Sequence, residues 1–162
     1  MQQDKITIRR AQGKDLDGIA RLLYEVEDLH RKGRPDLFRP GARKYTDEQL
    51  IALFKDDSKP VFVAVDEGGS LLGYAFCQLQ ETRGEPALID HRTLYIDDLC
   101  VDESARGRRI GGSLYEHVLE YARSQGCHNL TLHVWACNPG AAAFYRRMGL
   151  EPMYTALEKV LA

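Results

Sequence analysis

No run of about 20 apolar residues occurs anywhere in the sequence, so no membrane-spanning helix is expected. The first ten residues, MQQDKITIRR, lack the apolar core of a secretory leader. The four cysteines, Cys77, Cys100, Cys127 and Cys137, form no CxxC pair and no zinc-ligand spacing. No disulfide framework and no metal site are expected, and the thiols read as reduced in a cytoplasmic protein. An excess of one charge is also missing: the net charge is −2. That argues against coating nucleic acid or a membrane surface, so any anion binding must be local. Repeats, low-complexity tracts and dividing linkers are absent as well. The 162 residues read as one domain, 1–162, of a size that buries about 70% of its extended-chain surface.

What is present alternates between two periods. Residues 5–9 alternate as a strand, and Asp15 can cap a helix reaching His30, with Leu16, Ile19, Leu23 and Val26 near one face. Residues 31–45 carry two prolines and two glycines and cannot be regular helix, and Leu37 and Phe38 are candidates to pin that loop. Thr46 and Gln49 fit a capping box that starts a short second helix. Residues 61–65 and 71–80 read as a hairpin around a glycine-bearing turn, and a further strand covers 93–101. A helix from near Ile110, a strand at 129–134, a helix opened by Pro139 and closed at Gly149, and a last strand at 153–161 complete the order. This is an α/β chain: one mixed sheet covered by helices.

Residues 102–118, DESARGRRIGGSLYEHV, bear on function. Arg106, Arg108 and Arg109 crowd together after a strand, and Gly107, Gly111 and Gly112 let backbone approach a ligand. A helix beginning at Ile110 leaves unpaired N–H groups that favour an anion. The turn is neither a Walker phosphate loop nor a GxGxxG fingerprint. On these residues alone it is an anion cradle or a solvated arginine loop.

RGRRIG resembles the Arg/Gln-x-x-Gly-x-Gly/Ala turn of the GNAT family of N-acetyltransferases. NPGAAAFYRRMGL resembles that family's later N-x-x-A-x-x-F-Y-x-x-x-G-[FL] segment through Asn138, Ala141, Phe144, Tyr145, Gly149 and Leu150. One departure exists: Arg109 stands where the family's turn usually has glycine. The resemblance covers residues 93–150 closely, and through element order the whole chain. It implies a GNAT fold: a single, mostly antiparallel mixed sheet with splayed central parallel strands and about four flanking helices. It also implies acetyl-CoA as cosubstrate, with no metal. Leu99, Cys100 and Val101 would line the pantetheine arm, residues Arg106, Gly107, Arg108, Arg109, Ile110, Gly111 and Gly112 the pyrophosphate, Asn138 would bond the arm near its amides, and Tyr145 would lie at its sulfur.

Acetyl transfer to an amine needs a base, because an amine of pKa about 10.4 is protonated at neutral pH. Asp97 and Asp98 lie in the strand beside the implied thioester. Strict alternation would send them to opposite faces unless a bulge intervenes, and Asp97 is the favoured base. The resemblance makes Tyr145 the proton donor to the leaving thiolate and an N–H of Leu99 or Cys100 the oxyanion donor. Cys100 and Cys137 read as packing rather than as acyl carriers. Trp135 and His133 read as pocket lining or as core.

The expected acceptor is a small primary amine: a polyamine, an amino acid or an aminoglycoside-like molecule. For a polyamine, Asp97, Asp98, Asp90, Glu25, Glu27 and Asp28 could supply a negative field. A protein or peptide amine, and a non-catalytic acyl-CoA sensor of the same fold, are the alternatives. The resemblance also admits a homodimer.

Overall fold

The computed structural model describes residues 5–161. In chain order the elements are β1 (Thr7–Arg10), α1 (Leu16–Gly33), α2 (Asp47–Phe54), β2 (Val61–Val65), β3 (Leu71–Thr82), β4 (His91–Val101), α3 (Ile110–Ser124), β5 (Asn129–Leu132) and α4 (Pro139–Arg147). Short 3₁₀ turns at Gly13–Asp15 and Glu103–Ala105 precede α1 and α3. The five strands lie in the order β1-β2-β3-β4-β5. All neighbours are antiparallel except β4 and β5, which run parallel.

Every residue of β2 is buried, because both faces of the sheet are covered. On one face Phe62, Ala64, Ala75, Leu94 and Ile96 pack against Leu114, Val118 and Ala122 of α3. On the other, Val61, Val63, Tyr74 and Phe76 pack against Ile19, Leu22 and Leu23 of α1 and Leu50 of α2. The α2 capping box forms as its sequence predicts: Gln49 N donates to Thr46 Oγ1 at 3.2 Å and Thr46 N to Gln49 Oε1 at 2.9 Å.

Asp15 does something other than cap α1 with its side chain. Its carboxylate is buried, takes both arms of the Arg9 guanidinium at 2.7 and 3.0 Å and accepts from Gln12 N at 2.8 Å. Burial pushes its pKa up, but the Arg9 fork and the Gln12 amide outweigh that and hold it below the usual carboxylate value. Asp15→Asn should therefore cost about 2 kcal/mol at pH 7, somewhat less than the 3–5 of a fully buried pair, because Arg9 keeps a wet edge. Because the folded pKa is the lower one, the parent loses this contribution as pH falls through it. Thermal melts of the two proteins should converge below about pH 4.

Three boundaries differ from expectation. β3 and β4 run on to Thr82 and His91, tied across the ladder by Arg92 and Glu81, so the loop between them is shorter. β5 stops at Leu132. The strand expected at 153–161 does not form, and residues 151–161 are exposed and without regular secondary structure. No strand of the sheet pairs with them among the described residues.

Candidate active site

β4 pairs with β5 only from Thr93 to Ile96. Beyond that point β4 continues to Val101 with β3 on one side and, among the described residues, no strand on the other. The parallel pair thus splays, leaving one edge of Asp97–Val101 open. Asp102 N donates to Leu72 O at 2.8 Å, toward β3. By strand alternation Cys100 N–H points the same way, and the N–H groups of Leu99 and Val101 face the opening.

At the head of the opening β4 carries a bulge. Asp98 pairs with Phe76 and Ile96 with Cys77, so Asp97 is the extra residue. The bulge cancels alternation: both carboxylates turn to the α1–α2 side. Asp97 accepts from Tyr45 Oη at 2.7 Å and from Lys44 Nζ at 2.7 Å on each oxygen. Asp98 Oδ2 accepts from Tyr74 Oη at 2.7 Å. Burial raises the Asp98 pKa; the Tyr74 hydroxyl, Lys44 and His30 offset this only in part, and Asp97 adds to it. The two groups are therefore unlike. Asp97 has both oxygens engaged by an ammonium and a phenol. Asp98 keeps one oxygen without a hydrogen bond among the described residues, in a site that favours its taking a proton.

At the far end of the opening, Arg109 is the N-cap of α3 and caps it with no side-chain hydrogen bond. The amides of Ile110, Gly111 and Gly112 have no backbone acceptor among the described residues, since the first such bond of the helix is Ser113 N to Arg109 O at 3.0 Å. A Cβ at Gly111 would sit 3.4 Å from Phe144 Cζ and 3.5 Å from Val101 Cγ2. This close approach joins the two sequence motifs, bringing α4 against the start of α3 and the end of β4. Among the described residues Arg109 is the only non-glycine with positive φ, at 59°. Arg109→Gly should raise stability by about 1 kcal/mol by relieving a left-handed side-chain clash, readable as a higher melting temperature.

On α4, Asn138 Oδ1 accepts from Ala141 N at 3.2 Å as the helix cap, which leaves its amide N–H groups available. Tyr145, two turns on, is largely buried. Burial first, then the charge of Asp98, pushes its phenol well above the ordinary tyrosine pKa. Its hydroxyl has no hydrogen-bond partner among the described residues. The Cys100 and Cys77 thiols are pushed up to about 12 by burial, so neither is a ready thiolate.

The α1–α2 side of the bulge holds residues that sequence reasoning passed over. Lys44, Tyr45 and Tyr74 belong to no motif; only the capping box beside Lys44 and Tyr45 marks their position. Phe38 pins its loop as expected, edge-on to Trp135 at 5.4 Å and 5.2 Å from His30, whereas Leu37 stays exposed. Tyr95 Oη lies 3.2 Å from His133 Nδ1, and His133 Nε2 lies 3.0 Å from Tyr154 Oη. Among the described residues no cluster of three His, Cys, Asp or Glu could hold a metal ion, and no helix is long and apolar enough to cross a membrane.

The Acetyltransferase (GNAT) family model matches residues 23–150, which include the bulge, the start of α3 and α4. The chain belongs to the GNAT family. It is similar to a mutant of the BH1408 protein from Bacillus halodurans, at 31% identity and a TM-score of 0.92 over 96% of this chain and 99% of that one. It is 30% identical to an uncharacterized N-acetyltransferase of Methanocaldococcus jannaschii over 90% of this chain and 60% of that protein. An L-methionine sulfoximine/L-methionine sulfone acetyltransferase of Pseudomonas aeruginosa is also 30% identical, over 57% of this chain. The match spans about half, 51%, of that relative's length.

Proposed function

We propose that this GNAT protein transfers an acetyl group from acetyl-CoA directly to the primary amine of a small molecule. The observation that carries the reading is the β4 bulge, which turns two carboxylates toward the acceptor side at the point where β4 and β5 part. The open edge of Leu99–Val101 offers backbone groups to an extended pantetheine arm. The uncapped amides at the start of α3, with Arg106 and its neighbours, fit a pyrophosphate.

In this scheme an incoming ammonium loses its proton to Asp98, directly or through one water. The neutral nitrogen attacks the thioester carbonyl. The oxyanion that develops is met by Leu99 N–H, because Cys100 N–H is committed to the ladder. Tyr145 donates its proton as the C–S bond breaks, so the thiol departs neutral, and the second proton that the nitrogen sheds as the amide forms restores the phenol. Asp97, held by Lys44 and Tyr45, fixes the bulge. The high pKa of the Cys100 thiol favours direct transfer over an acetyl-enzyme.

The acidic field that would draw a polyamine is reduced: Glu25 pairs with Arg21, Asp28 with Arg31 and Lys32, and Asp97 with Lys44. This favours acceptors with one ammonium, of which amino acids and their analogues are the simplest, in keeping with the name of the Pseudomonas relative. The test is thiol release from acetyl-CoA against amino acids, polyamines, aminoglycosides and short peptides. Turnover with amino-acid amines at least tenfold above that with polyamines is the expected result. No turnover with any amine, despite acetyl-CoA binding, would replace the enzyme reading with a sensor.

A further inference from the structure

Beside the β4 bulge, the ion pair of Lys44 and Asp97 turns its cation outward. Lys44 Nζ donates to Asp97 Oδ1 and to Oδ2, each at 2.7 Å. The pair is neutral as a whole, but its ends are unequally placed: the Asp97 side chain is 11% exposed and that of Lys44 38%. Asp97 also accepts from Tyr45 Oη, so both its oxygens are engaged. An ammonium has three N–H donors, and Asp97 takes two of them. The third has no acceptor among the described residues and belongs to the more exposed end of the pair.

Lys44 is also held in place, which lowers the cost of binding through it. Its neighbour Tyr45 stacks on Phe76 with ring centroids 5.3 Å apart, and the Thr46–Gln49 capping box fixes the turn that follows. The ammonium lies 5.6 Å from the centre of the Tyr45 ring. Lys44 stands close enough to Asp98 to act on it. Burial pushes the Asp98 pKa up, and among the surrounding charges Lys44 pulls it down most. A cationic donor therefore sits beside the carboxylate that receives the amine's proton.

Resting on the acetyl transfer proposed above, we infer that Lys44 reads a carboxylate on the acceptor: the substrate is an amino acid whose ammonium meets Asp98 while its carboxylate takes the remaining N–H of Lys44. A zwitterion satisfies both ends of the site with charge-assisted hydrogen bonds. A simple amine leaves the Lys44 donor to water. A diamine brings a second ammonium to a donor of its own charge, which selects against it.

Thiol release from acetyl-CoA tests this with L-leucine, L-methionine, L-glutamine and L-phenylalanine, each against its decarboxylated amine. The parent should prefer the amino acid by about tenfold or more in kcat/KM, the scale of one hydrogen bond to a charged group. In Lys44→Met that preference should be lost, through a higher KM for the amino acid, whereas Lys44→Arg should keep most of it. Loss of the Asp97 contact slows both members of a pair alike and cancels in the ratio, as does their difference in basicity. A parent that acetylates the decarboxylated amines as well as the amino acids, or a preference unmoved by Lys44→Met, overturns the inference and leaves acetyl transfer standing. If no amine releases thiol, acetyl transfer itself fails, and calorimetry of the same pairs on the CoA-bound protein decides for Lys44. The amino acid should then bind more tightly than its decarboxylated amine in the parent but not in Lys44→Met, and equal or absent binding in the parent overturns the inference.

Discussion

Tyr145→Phe should lower kcat for acetyl transfer by about 100-fold or more, within the range general acids contribute. The argument rests on what the hydroxyl does not do. It holds no other hydrogen bond among the described residues, so its removal breaks no structural contact, and Phe fills the same space. Burial and the nearby Asp98 charge keep the phenol protonated, which suits it to donate. The Michaelis constant for acetyl-CoA should change little, since the cradle on α3 is untouched. Alkaline loss of activity through this group should lie above its ordinary value of about 10. Steady-state kinetics of both proteins from pH 6 to 9 make the check, and a change in kcat of less than threefold would remove Tyr145 from the chemistry.

Asp98→Asn should separate function from stability in opposite directions. As base, Asp98 must be ionised, so kcat/KM for the amine should rise with pH through a value above the usual carboxylate range, and the variant should lose about 100-fold with that limb abolished. For stability, the folded protein retains a proton on Asp98 that the unfolded chain has already released. Between the two pKa values stability therefore falls as pH rises, and above the folded value the buried charge is a standing cost. Asn still accepts from Tyr74 and carries no charge, so the variant should melt no lower than the parent at pH 7. Asp97→Asn should behave differently: it strands Lys44 and weakens the bulge, so a lower melting temperature accompanies any loss of rate. Equal losses of rate and stability in both variants would mean that the pair is structural.

The cradle and α4 were legible because their signals are local. A turn of arginines and glycines before a helix, and Asn138 and Tyr145 two helical turns apart, keep their meaning wherever the chain folds. The carboxylate pair was less legible. Alternation would have split Asp97 from Asp98, and only the pairing of Phe76 with Asp98 and Cys77 with Ile96 shows both carboxylates on one side. Their unequal roles depend on Lys44, Tyr45 and Tyr74, which arrive from a distant loop and the neighbouring strand, so no reading of residues 93–101 alone could assign them.

The final segment makes the same point in reverse. Its apolar content suggests a strand, but a strand is completed by an edge, and local sequence says nothing about which edge. By itself the sequence determined the element order as far as α4, the arginine-glycine turn before α3 and the family resemblance, since these rest on periodicity, caps and short motifs. Tertiary structure alone decided which aspartate keeps a free oxygen, where β4 and β5 part, and that residues 153–161 find no partner in their own sheet. Those outcomes depend on hydrogen-bond register between strands, which sums contributions from residues far apart in the chain.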